Sequence, residues 1–337
     1  MSTKIVIIGG GIIGCLSAIK LRESGFSVVI VDKNEIGKES SWAGAGILFP
    51  LMPWLYSPEV YNLCLNSSEF YEEFSKKLFR ATGIDPEFSR SGIKLIPPHS
   101  ENNIHQWARS HNYRIQNSIF QKSSAILLPL VAQIRPPRLM KAIRLYLRQL
   151  GINVIENTEL CSIRVEKKTL NEWPTKDGSY IEADYFIITS GAWTSMIQEK
   201  YQNKIYPVRG QMIQYKASSL KINHILYSDD FYILQRKDGV IIAGSTAEEV
   251  GFDVKVELDS IEYLKKKAEQ LIPELKNILV ENHWAGFRPG TKENIPIIVK
   301  DDKYENLYIN SGHFRYGITM APKSAEIINN LLVESRL

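Results

Sequence analysis

A short apolar run at residues 4–8 (KIVII) stops at Gly9-Gly10-Gly11, and from residue 12 to about 21 the spacing turns helical, carrying Leu16 and Ile19. That order predicts strand, tight turn, helix. Gly9, Gly11 and Gly14 fill G-x-G-x-x-G at the junction. The first glycine permits the turn, the second lets a pyrophosphate approach the backbone, and the third lets helix pack on strand. Free amides at the helix start favour the phosphates. A second apolar run, 27–31, leads into Asp32, roughly 20 residues beyond the glycines, where an acid accepts both ribose hydroxyls and argues against a 2′-phosphate. The start of the chain is therefore expected to hold a dinucleotide.

The next stretch, 40–48 (SSWAGAGIL), is too glycine-rich for a helix and too long for a hairpin turn, which suits a loop running along a flat ligand. At 337 residues the chain is long for one core and comfortable for two domains. Its 41 basic and 37 acidic residues leave +4, spread along the chain, so nothing points to nucleic acid or a membrane surface. No apolar run reaches the roughly 18 residues of a membrane span, and the start lacks a signal peptide's order. A cytoplasmic location is the expectation. Cys15, Cys64 and Cys161 are odd in number and far apart, which suits buried small hydrophobes rather than a disulfide framework or a metal site.

Further along, 58–82 reads as one long helix ended by Gly83, with Val60, Leu63, Cys64, Phe70, Phe74 and Phe79 toward a core. A strand is expected at 92–96, a helix at 103–111, an apolar connector at 127–134, and a helix at 138–150 led in by Pro136-Pro137 and closed by Gly151. Strands at 153–155 and 160–165 follow. The run 183–190 is another buried strand entering a small-residue turn, Gly191-Ala192-Trp193, as the far side of a nucleotide crevice would require. From residue 205 the pattern becomes antiparallel: strands at 211–215, 231–235 and 240–243, the last two joined through Lys237-Asp238-Gly239. A helix at 259–271, a buried strand at 307–310 and a final helix at 321–332 complete the reading.

Five motifs in this order, G-G-G-I-I-G at 9–14, S-W-A-G-A-G at 41–46, P-V-R-G-Q at 207–211, W-A-G-F-R-P-G-T at 284–291 and S-G-H-F-R-Y-G-I at 311–318, together resemble the D-amino-acid oxidase superfamily of flavoproteins, most of all its glycine oxidase branch of thiamine thiazole synthesis. The resemblance covers nearly all of the chain. It implies an α/β chain, α+β overall, with a discontinuous Rossmann-like FAD-binding domain (1–82, 135–204 and 285–337) and an antiparallel-sheet substrate domain (83–134 and 205–284). It also implies FAD contacts from Gly9, Gly11, Gly14 and Asp32 on the ADP half, and from Ser41, Ala43, Gly44 and Gly46 along the isoalloxazine. Val165 is implied beside the adenine, and Gly312, His313, Gly317 and Ile318 at the flavin's far edge. Ile12, Ile13, Lys33, Ser40, Ala45, Ser190, Gly191, Phe314, Arg288 and Arg315 complete the implied cofactor shell. Arg288 is implied to pair with the substrate carboxylate, with Tyr232 and Arg315 as its neighbours in the catalytic set. Departures from the family pattern at Ala45, Ile47 and Gln235 bear on pocket shape and substrate size.

The activity so implied is oxidation of a small amino acid (glycine, sarcosine or a small D-amino acid) by hydride transfer to flavin, giving an oxo acid, ammonia and, with molecular oxygen, hydrogen peroxide. Such chemistry belongs to the cofactor while the protein orients and desolvates, and no metal is expected. A dehydrogenase passing electrons to a quinone and a non-catalytic FAD-binding subunit are the alternatives, and a homo-oligomer is compatible with each. No cysteine follows Cys161, so the cysteinyl flavin link of the related sarcosine oxidases is excluded and FAD is expected to be non-covalent. His99, His105, His111, His224 and His283 show no partner pattern and read as structural, whereas His313 lies in a small-residue turn after a buried strand.

Overall fold

The computed structural model describes residues 2–50, 52–164 and 166–335. Lys4–Ile8 lies inside a six-stranded sheet, with Ser27–Val31 on one side and Tyr185–Ile188 on the other, both parallel to it. Asn153–Ile155 extends the first side; Leu307–Ser311 and then the antiparallel Ile297–Lys300 extend the second. Alternate residues sort to opposite faces. Ile5, Ile7, Val28, Ile30, Ile187 and Tyr308 meet the helices Ile12–Glu23, Ser67–Thr82, Pro136–Gln149 and Gly317–Glu334, while Val6, Ile8, Val29, Val31, Phe186 and Ile188 meet Trp173 and Leu160 on the other side. Burial on both faces is why these strands read as unbroken apolar runs.

An eight-stranded, mainly antiparallel sheet runs in the order Val280–Gly290, Tyr206–Lys216, Val240–Gly244, Phe231–Gln235, Ile225–Ser228, Ile93–Leu95, Ser123–Leu128, Gln116–Phe120. Its period of two again separates the faces. Ile213, Tyr215, Ile233, Ile241 and Ala243 pack under the helix Leu258–Leu271 through Leu264 and Ala268. Met212, Tyr232, Leu234 and Ile242 face the opposite way, with Phe49 and Ala45 from the glycine-rich loop. That loop is thereby caught between the two sheets. Among the described residues, no helix is long and apolar enough to cross a membrane.

Several expectations are corrected. Residues 58–82 form two helices, Pro58–Cys64 and Ser67–Thr82, because Asn66 takes the left-handed conformation (φ 58) that asparagine tolerates. The break re-aims the second helix: Tyr71, Phe74 and Leu78 are buried, and Phe70 and Phe79 are exposed. The small-residue loop begins with a single helical turn, Ser40–Ala43, before Gly44 ends it. The connector 127–134 contains the end of Ser123–Leu128 and the short strand Ala132–Gln133. In place of a strand at 160–165, Leu160 makes one bridge to Thr175; Val165 lies outside the described residues. Residues 284–290, for which no element was expected, belong to the eleven-residue strand Val280–Gly290, paired along its length with Tyr206–Lys216. Cys15 and Cys64 are buried, and Cys161 is half-buried.

Candidate active site

The turn after Lys4–Ile8 has Gly9 at φ 114, a conformation side chains rarely adopt, and Gly14 packs so closely on Gly9 O and Thr189 that a Cβ there would overlap them. The helix that follows has no side-chain cap from Gly11. Its Ile12 amide instead donates to Ser41 Oγ at 2.8 Å, which ties the glycine-rich loop to the helix N-terminus. Asp32 Oδ2 accepts from Gly10 N at 2.6 Å and Oδ1 from Asn34 N at 2.9 Å. Burial raises the Asp32 carboxyl above its ordinary range, opposed by those two amides. Lys33 Nζ sits 3.8 Å from the ring centroid of Trp193, which stacks on Phe252 at 5.2 Å.

A single cleft extends from this turn to the eight-stranded sheet, enclosing about 1840 Å³ including its open mouth. Gly9, Gly11, Ile12, Ile13, Asp32, Lys33, Ser40, Ser41, Ala43, Gly44, Ala45, Gly46, Ser190 and Gly191 line it. So do Tyr232, Arg288, His313, Phe314, Arg315, Gly317 and Ile318. Gly14 and Gly312 stand behind the wall, where Gly312 packs on Thr291 at φ 87.

At the sheet end, Arg288 lies opposite Val208 on the paired strands, and its guanidinium folds back over Gly210 so tightly that a Cβ at 210 would overlap it. Arg288 Nη1 donates to Thr246 O at 3.0 Å and Nη2 to Ser245 Oγ at 2.7 Å. Burial pulls this guanidinium below its ordinary pKa, yet an arginine stays protonated in a protein. Tyr232 donates its hydroxyl to Met212 Sδ at 3.6 Å. Arg315 Nη1 stands 3.8 Å from Asp230 Oδ1. His313 is buried, its Nε2 is 2.8 Å from Ser324 Oγ, and burial lowers its pKa to about 3. It is a neutral wall residue at neutral pH.

Three further groups shape the site that were not among the expected site residues. Arg236, fully buried, donates to Ala45 O at 2.6 Å, Ile134 O at 3.0 Å and Gln133 Oε1 at 2.8 Å, pinning the glycine-rich loop from the second sheet. Arg209, 1 % exposed, holds the 246–257 segment through Glu248 Oε2 at 2.6 Å, Glu257 Oε1 at 2.9 Å and the carbonyls of Asp253 and Lys255. That segment begins at Thr246, one of the two acceptors for Arg288. Beside Asp32, Thr158, Glu159 and Leu160 line the cleft.

These residues fit FAD. A helix start whose own N-cap is a glycine, an acid at the end of the second strand, and a corridor of small residues where a Cβ at Gly286 would stand 2.6 Å from Ala43 describe a bed for a long, flat dinucleotide. Residues 4–331 match the family of FAD dependent oxidoreductases described as DAO, and the chain belongs to that family. It is similar to the glycine oxidase of Pseudomonas putida, with 35% identity over 98% of this chain and 95% of that protein. A bifunctional protein ThiO/ThiG of Synechocystis is 27% identical over 100% of this chain and 52% of its own length. Among solved structures, glycine oxidase from Bacillus cereus superposes with a TM-score of 0.89 at 25% identity, covering 100% of this chain and 96% of that one. The protein is an FAD-dependent, amine-oxidising oxidoreductase.

Proposed function

We propose that the chain oxidises a small amino acid, glycine, sarcosine or a small D-amino acid, to its imine, which water splits into an oxo acid and ammonia (methylamine from sarcosine), with molecular oxygen as electron acceptor and hydrogen peroxide as product. The observation that carries this reading is Arg288: a half-buried guanidinium facing the cleft, held by two neutral acceptors, with donors left for a carboxylate. FAD, when bound, supplies the hydride acceptor. The chain's own residues do the rest. Arg288 grips the carboxylate, and Tyr232 and Met212 limit the room beside it. The substrate must meet the flavin with its amine uncharged, and neutral His313 adds no competing cation.

The likeness to a glycine oxidase supports a small substrate, and the likeness to a ThiO/ThiG protein supports a place in thiamine thiazole synthesis. The domain division expected from the motifs assigns the six-stranded sheet to the cofactor and the eight-stranded sheet, apart from residues 285–290, to the substrate. Anaerobic addition of glycine or sarcosine to the FAD-loaded protein should bleach the flavin, and air should then yield peroxide. Bleaching by bulky D-amino acids alone would move the substrate class. Bleaching without peroxide would favour the quinone-linked dehydrogenase, and no bleaching by any amino acid would leave a cofactor-binding subunit.

A further inference from the structure

Between the strands Ile225–Ser228 and Phe231–Gln235, Ser228 pairs directly with Phe231, so Asp229-Asp230 is a two-residue hairpin turn. Both residues have positive φ, 50 and 58, as a type I′ turn demands. The two acids then diverge. Asp229 pairs with Lys267 on the helix Leu258–Leu271, whereas Asp230 lines the cleft, accepts from Tyr227 Oη at 2.8 Å and faces Arg315 at 3.8 Å. The turn requires the left-handed conformation and not a charge; asparagine or glycine would serve it equally.

The cleft therefore has two guanidiniums of unequal status. Arg315 has a carboxylate partner. Among the described residues, no carboxylate lies within ion-pair distance of Arg288, and nearby Glu248 is engaged by Arg209. We propose that Asp230 filters substrates by charge: it offsets Arg315, leaving one uncompensated guanidinium, so that the site takes monocarboxylate amino acids and discriminates against dicarboxylates. This rests on reading Arg288 as the carboxylate partner. A second carboxylate on the substrate would meet Asp230 as a like charge and find Arg315 already paired; without that acid, Arg315 would receive it.

The test uses the FAD-loaded full chain as wild type, Asp230→Asn and Asp230→Gly, the last two keeping the turn. Perturbation of flavin absorbance by acetate and by malonate gives two affinities without turnover. The malonate-to-acetate affinity ratio should rise about 1.5- to 5-fold in both variants, the scale of a solvent-screened pair, and the rise should shrink at high salt. The rate ratio of flavin reduction by iminodiacetate, the dicarboxylate counterpart of sarcosine, over sarcosine should move the same way. Unchanged ratios, with acetate binding still weakened by Arg288→Ala, would overturn the filter alone. Acetate binding indifferent to Arg288→Ala would remove the carboxylate reading and the filter with it.

Discussion

The guanidinium of Arg288 lies flat against the backbone of Gly210, on the neighbouring strand, in space that any side chain at 210 would fill. Position 210 is thus part of how the arginine is aimed. Gly210→Ala should displace the guanidinium while leaving the cofactor bed intact, lowering kcat/KM for the amino acid by about 10- to 100-fold, the scale of a misplacement of about 1 Å. Steady-state kinetics beside FAD content checks this. Wild-type kinetics would mean the guanidinium shifts without consequence.

Arg288→Ala should cost more, since it leaves the substrate anion desolvated and unpaired. Breaking such a pair typically costs about 2 to 5 kcal/mol, so kcat/KM should fall roughly 30-fold to several thousand-fold with flavin still bound. Lysine should restore only part, because it lacks the planar fork. Arg315→Ala should lose less, since Arg315 is partly exposed and already paired with Asp230. The reverse order of losses would exchange the two roles.

Asp32→Ala should weaken FAD by roughly 1 to 3 kcal/mol, the cost of leaving buried hydroxyls without their acceptor. Asp32 also accepts from Gly10 and Asn34, so Asp32→Asn separates the roles: it retains one acceptor oxygen for the turn and loses the charge. Titration of the apoprotein with FAD measures both. Undiminished affinity in either variant would place the ribose elsewhere.

His313 links stability to acid. Its folded pKa of about 3 lies below the ordinary 6.5 because it is buried, so between those values the unfolded chain binds a proton that the folded chain refuses. The contribution is fully present above 6.5 and is lost as pH falls toward 3, by up to about 1.4 kcal/mol per unit. His313→Gln should reduce the stability drop between about pH 7 and 5 by up to about 2 kcal/mol, as read from urea unfolding. An unchanged drop would assign the acid sensitivity to other groups.

What could be read from the sequence was what is local. The strand, the glycine turn, the helix and Asp32 lie within one short stretch, each with its own signal, and they fall where expected. The strand Val280–Gly290 escaped recognition because Trp284-Ala285-Gly286 and Pro289-Gly290 look like turn chemistry. Its glycines instead admit a close neighbour, and its pairing partner lies far away in the chain. The break at Asn66 was hidden because helical periodicity continues on both sides of it. Arg209 stands inside the P-V-R-G-Q motif and Arg236 follows Gln235, yet no local signal told what either side chain holds. Their acceptors come from segments remote in sequence, which only the folded chain brings together.

Arg236 has a thermodynamic consequence. Its single side chain, rooted in the second sheet, supplies the donors for carbonyls at Ala45 and Ile134, so ordering the glycine-rich loop and keeping the hairpin folded are one event. Any ligand that fastens the loop must then raise the melting temperature of the hairpin as well, by mass action. Heating the loaded protein should release cofactor and unfold both sheets in one cooperative transition, whereas the empty protein should lose the loop and its anchoring hairpin first.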